Sequence, residues 1–459
     1  MATNGLESAS SPIHVAIIGA GIGGLALAGG LLRHGVSFTL FEAAPAFSTV
    51  GAGVGLGPNA LRAMEALTPG FRAEYDAISS GNLTRGKKHV MMDAMLVEEG
   101  FGEKRGWKPI SWGADCYERT SAHRSDLLDI LTKNIPADVV RFGMKATGIE
   151  RRGQKMVVVF ENGETAEADA VIGCDGVRGI SRATVLGTSR PDLVHAKFTG
   201  KYLYRAVVPM KDALEILGDD ANGNPVAGDA RMFMGKKAVF TTFPISRGTE
   251  LNVVCFRLTE KLWTDPEWTV PVTREAVQED LQEADVDHRL IKLLDVSKIF
   301  LTESSVHKTT PLIVWQWSKP LARWALFDHP ETSTYFNDRV CLLGDSAHAT
   351  TPHQAAGAGQ CIEDALVLSS VLSMVTSADQ VVAAFESFDS VRRPRAQKIV
   401  LTSREAGDIY ALKGDGTGRD LTDIIASLNT RFLWIWAHDL QRDIEVAKEE
   451  FRFKRPKEI

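Results

Sequence analysis

Surplus basic charge, paired cysteines and long apolar runs are all missing from this 459-residue chain. With 52 Lys and Arg against 58 Asp and Glu, the formal net charge is −6, which leaves no basic surplus to hold nucleic acid. The five cysteines, Cys116, Cys174, Cys255, Cys341 and Cys361, are scattered, odd in number and free of C-x-x-C spacing. That argues against a disulfide frame or a zinc site and suits a reducing compartment. No apolar run reaches the about 18 residues of a membrane helix, and the start, MATNGLESASSP, has no basic segment followed by an apolar one. The expectation is a soluble, cytoplasmic protein with no membrane or nucleic-acid partner. None of the 11 histidines shows H-x-x-x-H or H-E-x-x-H spacing, so no metal is expected, and no G-x-S-x-G elbow supports a hydrolase.

The length exceeds what one core usually serves, so two domains, or one with a large insertion, are expected. Residues 13–42 read IHVAIIGAGIGGLALAGGLLRHGVSFTLFE. The pattern is a buried strand, the turn Gly19-x-Gly21-x-x-Gly24, a helix to about His34 stopped by Gly35, and a strand delivering Glu42. Gly19 makes the turn, Gly21 lets the backbone approach a pyrophosphate, and Gly24 lets helix and strand pack closely. The helix N-terminus offers bare N–H groups to phosphate, and Glu42 can accept ribose hydroxyls. This unit alone does not separate FAD from NAD. A second glycine-rich loop, GAGVGLGPNALRAMEAL, follows at 51–67, with Pro58 opening a helix. Arg124 stands in the first turn of another helix, where a cation opposes the helix dipole; it faces an anion or solvent. Strands over 140–173 then end in Asp175-Gly176.

Residues 344–365, GDSAHATTPHQAAGAGQCIEDA, contain almost nothing bulky. Between a buried strand ending at Asp345 and a helix from Cys361, such a loop forms a flat surface with bare amides, suited to a planar ring and negative charge. Glu363 and Asp364 are expected in the first turn as capping groups. Arg392, Arg393 and Arg395, in a helix expected to break at Pro394, read as a solvated or interface face.

In this order, the fingerprint, Arg124, Asp175-Gly176 and Gly344-Asp345 resemble the single-component flavoprotein aromatic hydroxylases of the para-hydroxybenzoate hydroxylase fold. GAGVGLGPNA, PHQAAGAGQCIEDA and Trp436-Ala437-His438-Asp439 are most similar to salicylate hydroxylases and fungal hydroxylases of phenolic polyketides. The resemblance covers about residues 12–400. It implies an α/β fold: a Rossmann-like FAD-binding domain (12–75, 106–190, 299–400), an inserted antiparallel β-sheet substrate domain (76–105, 191–298) and a C-terminal helical region (401–459).

It implies FAD held by Gly19, Gly21, Gly24, Glu42, Gly53, Arg124, Asp175, Gly176, Gly344 and Asp345, with the ring along Pro352 and Gly357, Ala358 and Gly359. Gly179 and Ser181 depart from the family pattern after Asp-Gly; Arg182 matches it. Substrate would meet Tyr204, Arg205 and Phe243, with Arg205, His353 and Pro352 at the chemistry. An arginine merely covering a domain interface, and a structural His353, are the other readings of those two residues. The implied reaction uses NADH or NADPH and O2 to hydroxylate a small phenolic substrate through a flavin C4a-hydroperoxide. Salicylate would lose carbon dioxide, and a larger polyketide phenol would be hydroxylated or dearomatised. An oxidase or reductase that inserts no oxygen is the competing class. A monomer or homodimer is expected.

Overall fold

A computed structural model describes residues 11–47, 53–220, 222–296, 321–413 and 421–456. Gly51 and Ala52 of the second glycine loop, the expected boundary at 298/299 and the extreme C-terminus lie outside them.

The chain builds a six-stranded sheet in the order Phe336–Asn337, Val340–Leu342, Ala170–Gly173, His14–Ile18, Ser37–Glu42, Val140–Phe142. All neighbours pair in parallel except the first two strands. Val15–Ile18 and Ala170–Gly173 are wholly buried, which is why they read as unbroken apolar runs rather than alternating ones. The helix Ile22–His34 ends on Gly35 in the left-handed region, as the sequence signals. It packs along the helix Gly357–Leu372. A three-stranded antiparallel sheet, Ala146–Arg152, Lys155–Phe160 and Thr165–Ala168, lies between the strands of this domain in sequence.

A second, eight-stranded sheet runs Thr269–Pro271, Ala322–Asp328, Lys197–Pro209, Glu250–Leu258, Ala238–Ile245, Arg231–Met234, Val90–Leu96, Ile110–Gly113. It is antiparallel except where Arg231–Met234 meets Val90–Leu96. Two of its strands, Ile110–Gly113 and Ala322–Asp328, come from segments expected in the FAD-binding domain. One face packs the helices Met210–Leu217, Arg274–Gln282 and His288–Asp295. The other faces Val381–Tyr410 and Leu421–Trp436.

Two expectations about the later helices are corrected. Val381–Tyr410 runs unbroken through Pro394, because flanking side chains pin it by tertiary contacts. Gly357–Leu372 begins four residues before Cys361, so Glu363 and Asp364 fall in its second turn and are fully buried. Arg392 Nη1 reaches Glu363 Oε2 at 2.7 Å and its Nε reaches Asp364 Oδ1 at 2.9 Å, while Arg395 Nε meets Glu363 Oε2 at 2.7 Å. Only Arg393 matches the expected surface role, pairing with Asp389 one turn away. The tail forms two helices, Leu421–Trp436 and Leu440–Lys454, the second capped by Asp439.

Candidate active site

Where the two sheets meet lies a cavity of about 750 Å3, within the range of small-molecule and cofactor sites. Gly19 lines it with φ +101°, and a Cβ there would stand 2.5 Å from the Cys174 carbonyl oxygen. A Cβ on Gly24 would lie 2.0 Å from the Gly19 oxygen, so Gly24 serves helix–turn packing and does not itself line the cavity. Gly21 differs: it is extended, lines the cavity, and a Cβ there would meet nothing within 4 Å. Protein packing does not require glycine at that position, whereas close approach of a pyrophosphate does.

The helix that follows has no side-chain cap and no acid in its first turn, and Gly357–Leu372 is likewise uncapped. Both N-termini border the same cavity. They offer bare N–H donors to an anion.

Glu42 is oriented by backbone amides, accepting from Ala20 N and Ala44 N at 2.8 Å each. Asp175 accepts from the Ser181 amide and hydroxyl at 2.9 Å, while burial raises its pKa and its Oδ1 is buried without a partner. The departure at Gly179 now has a reason, since a Cβ there would fall 2.1 Å from the Asp175 carboxyl carbon. Gly176, Gly53, Gly344 and Ala358 also line the cavity. Gly359 does not: it faces Ala60 and Asn59 on the helix Pro58–Leu67. Arg182 donates to the backbone oxygens of Leu193, Glu331, Ser346 and Ala347, and to Thr332, which fixes the segment carrying Asp345.

Asp345 and Arg124 face each other electrostatically across the cavity. Burial raises the Asp345 pKa, opposed by His348 and Arg124; burial lowers that of Arg124, opposed by Asp345. The accessible surface of Asp345 is cavity surface, so a polar ligand group can reach it while bulk solvent screens it little.

Strand alternation divides the expected substrate residues. Arg205 lines the cavity, whereas Tyr204 projects through the opposite face, where its hydroxyl donates to Asp280 Oδ2 at 2.8 Å. Successive side chains on a strand cannot share a face, so Tyr204 is removed from the substrate set. Arg205 is solvent-accessible and lines the cavity. Surrounding protein desolvates its guanidinium and lowers its pKa, with Arg124 adding to the shift, and its Cζ lies 5.7 Å from the centre of the Trp324 ring. Phe243 lines the same region, with the Arg119 guanidinium 4.8 Å over its ring. Pro352 and His353 border the cavity from the small-residue loop.

Three contributors were not among the expected site residues. Trp436 lines the cavity and stacks on Tyr117 at 4.3 Å, its backbone oxygen held by Arg62. Ser181 orients Asp175, and Arg119, itself buried, supplies another cavity-lining cation. The motif Trp436-Ala437-His438-Asp439 carried the only signal for the first.

The FAD-binding-domain family matches residues 12–308 and 318–403. The chain belongs to that family. An FAD-dependent monooxygenase of Gibberella moniliformis is 35% identical over 96% of this chain and 98% of its own length. The 6-methylsalicylate 1-monooxygenase atA of Aspergillus terreus is 34% identical over 94% and 91%. Among solved structures, a salicylate hydroxylase in complex with its substrate superimposes with a TM-score of 0.78 and 29% identity, over 96% of this chain and 98% of that one. The protein is an FAD-dependent monooxygenase, and the cavity's donor set fits its cofactor: two bare helix N-termini, a carboxylate held by two amides, and a cavity-facing acid, Asp345, coupled to Arg124. No helix among the described residues is long and apolar enough to cross a membrane.

Gly21→Ala should lower FAD retention by about tenfold while leaving the apoprotein's melting temperature essentially unchanged, because the added methyl meets no protein atom within 4 Å. Asp345→Ala should likewise release FAD. Both are read by flavin absorbance after gel filtration, and retained yellow protein in both would remove these contacts.

Proposed function

We propose that the protein uses NADH or NADPH and O2 to hydroxylate a small phenolic ring of salicylate type, bound between Arg205 on the sheet and the loop Pro352–Ala358. The observation that carries this reading is an arginine, Arg205, that lines the same cavity as the small-residue loop. A cation so placed lowers the pKa of a phenol and favours the phenolate, whose ortho carbon is electron-rich. Phe243, Phe256, Met92 and Met232 form an apolar enclosure for the ring. The chemistry supplied by bound FAD is activation of O2 for delivery of one oxygen atom. This chain's residues hold the ring, stabilise the phenolate and exclude water. For a salicylate, attack at the carboxyl-bearing carbon releases carbon dioxide, the outcome in keeping with relatives named for salicylates.

A monomer or a homodimer is part of this proposal. Five unpaired cysteines and a need for reduced nicotinamide suit the cytoplasm. A panel of salicylates, resorcinols and orcinaldehydes, scored by stimulated NAD(P)H consumption and product analysis, tests the reading. Flavin reduction that yields only hydrogen peroxide with every phenol would sink it.

A further inference from the structure

Arg119 lines the cavity with Tyr117 and Met92 and is 4% exposed. It stands shortly before the strand Ser121–His123, with its guanidinium 4.8 Å over the Phe243 ring. Its donors are almost unused: Nη1 makes one long hydrogen bond, 3.4 Å to the Met91 oxygen, and Nε is buried without a partner. Arg119 forms no ion pair among the described residues, since the adjacent Glu118 is engaged by Arg72 and Lys88 instead.

The chain's other deeply buried arginines show the ordinary solution. Arg231 meets Asp93, Asp220 and Asp229, and Arg392 meets Glu363 and Asp364. Arg182 spends its donors on backbone oxygens. A buried cation with neither kind of partner is costly unless a ligand completes it. On its far side Arg119 borders a second cavity of about 390 Å3 with polar walls that include Ser79, Asn82 and Thr84. The charge thus lies between polar space and the apolar enclosure of Phe243 and Met92.

We propose that Arg119 binds a carboxylate of the substrate and so makes the enzyme selective for a phenolic acid over an uncharged phenol. This rests on the phenolic reading above and adds the acid to it. An aromatic acid whose ring occupies the Phe243 and Met92 enclosure presents its carboxylate to the guanidinium. An arginine's planar fork suits a carboxylate because two parallel N–H donors can meet its two oxygens. Arg205 then serves the phenolic oxygen and Arg119 the carboxylate. A product that has lost its carboxyl group as carbon dioxide no longer has the anion that Arg119 holds, which favours its release.

The test titrates the FAD-loaded enzyme with salicylate and with salicylamide, its uncharged amide, followed by the change in flavin absorbance, in wild type, Arg119→Met and Arg119→Lys. The wild type should bind the acid at least about tenfold more tightly than the amide, the scale of a buried charge pair. Arg119→Met should erase that preference by weakening salicylate alone, Arg119→Lys should recover part of it, and FAD content should stay unchanged in both. A wild type without the preference overturns the proposal, and that measurement needs no variant to fold. A methionine or lysine variant that keeps the full preference reduces Arg119 to cover for the Phe243 ring, and loss of FAD from both variants reassigns it to the cofactor; either result overturns the proposal. A wild type that hydroxylates uncharged phenols without preferring the acid leaves the phenolic reading standing, whereas one that hydroxylates no phenol at all overturns both.

Discussion

Arg392→Ala is expected to destabilise the protein by about 3–5 kcal/mol, the cost of leaving buried charges without their partner. Arg392 has no exposed surface and touches Glu363 and Asp364, both also fully buried. The network extends through His348 Nε2 to Asp364 Oδ2 at 2.6 Å and through Asn59 Nδ2 to Glu363 Oε1 at 2.6 Å. Asp364 Oδ2 also accepts the Gly344 amide at 3.2 Å. The residue just before Asp345 is therefore tied to the network, and its loss should loosen FAD as well as the fold.

The same network makes a pH prediction. Arg392 and Arg395, with the Asn59 hydrogen bond, overcome the burial penalty and hold the Glu363 pKa down at about 2, against an ordinary 4.5. Its stabilisation is present in full above pH 4.5 and is lost as pH falls from there through about 2. Acid unfolding of the wild type should steepen in that window, and Glu363→Gln should flatten it. Urea denaturation at pH 7 and at pH 3.5 checks both statements; a loss below 1 kcal/mol for Arg392→Ala at pH 7 would contradict the account of the network.

Arg205→Ala should cost about 10²–10³-fold in kcat for the best phenol, the range for removing one preorganised group that stabilises negative charge, with FAD retained. Arg205→Lys should recover part of this, because a point charge still lowers the phenol pKa but lacks the guanidinium's rigid fork. Unchanged turnover in the alanine variant would remove Arg205 from the chemistry and leave it as cover for the domain interface.

How far these sites could be read from sequence depends on whether their determinants are local. The fingerprint was legible because strand, turn and helix lie within thirty residues and each glycine has a steric duty. The small-residue loop was legible because its composition is extreme. Tyr204 is the exception: period-two alternation places it and Arg205 on opposite faces of the strand, so only one of the two can face the cavity. Arg392 and Arg395 resemble a solvated face in sequence because their partners, Glu363 and Asp364, lie about 30 residues earlier, in the second turn of a helix that begins at Gly357 within the small-residue loop.

The central claim is that the cavity holds a phenol for oxygen transfer, and isotope labelling tests it most directly. Turnover of the best salicylate or phenol under 18O2 with NAD(P)H should place one 18O atom in the hydroxylated product for each reduced nicotinamide consumed. Unlabelled product, or consumption of O2 entirely as hydrogen peroxide, would contradict it.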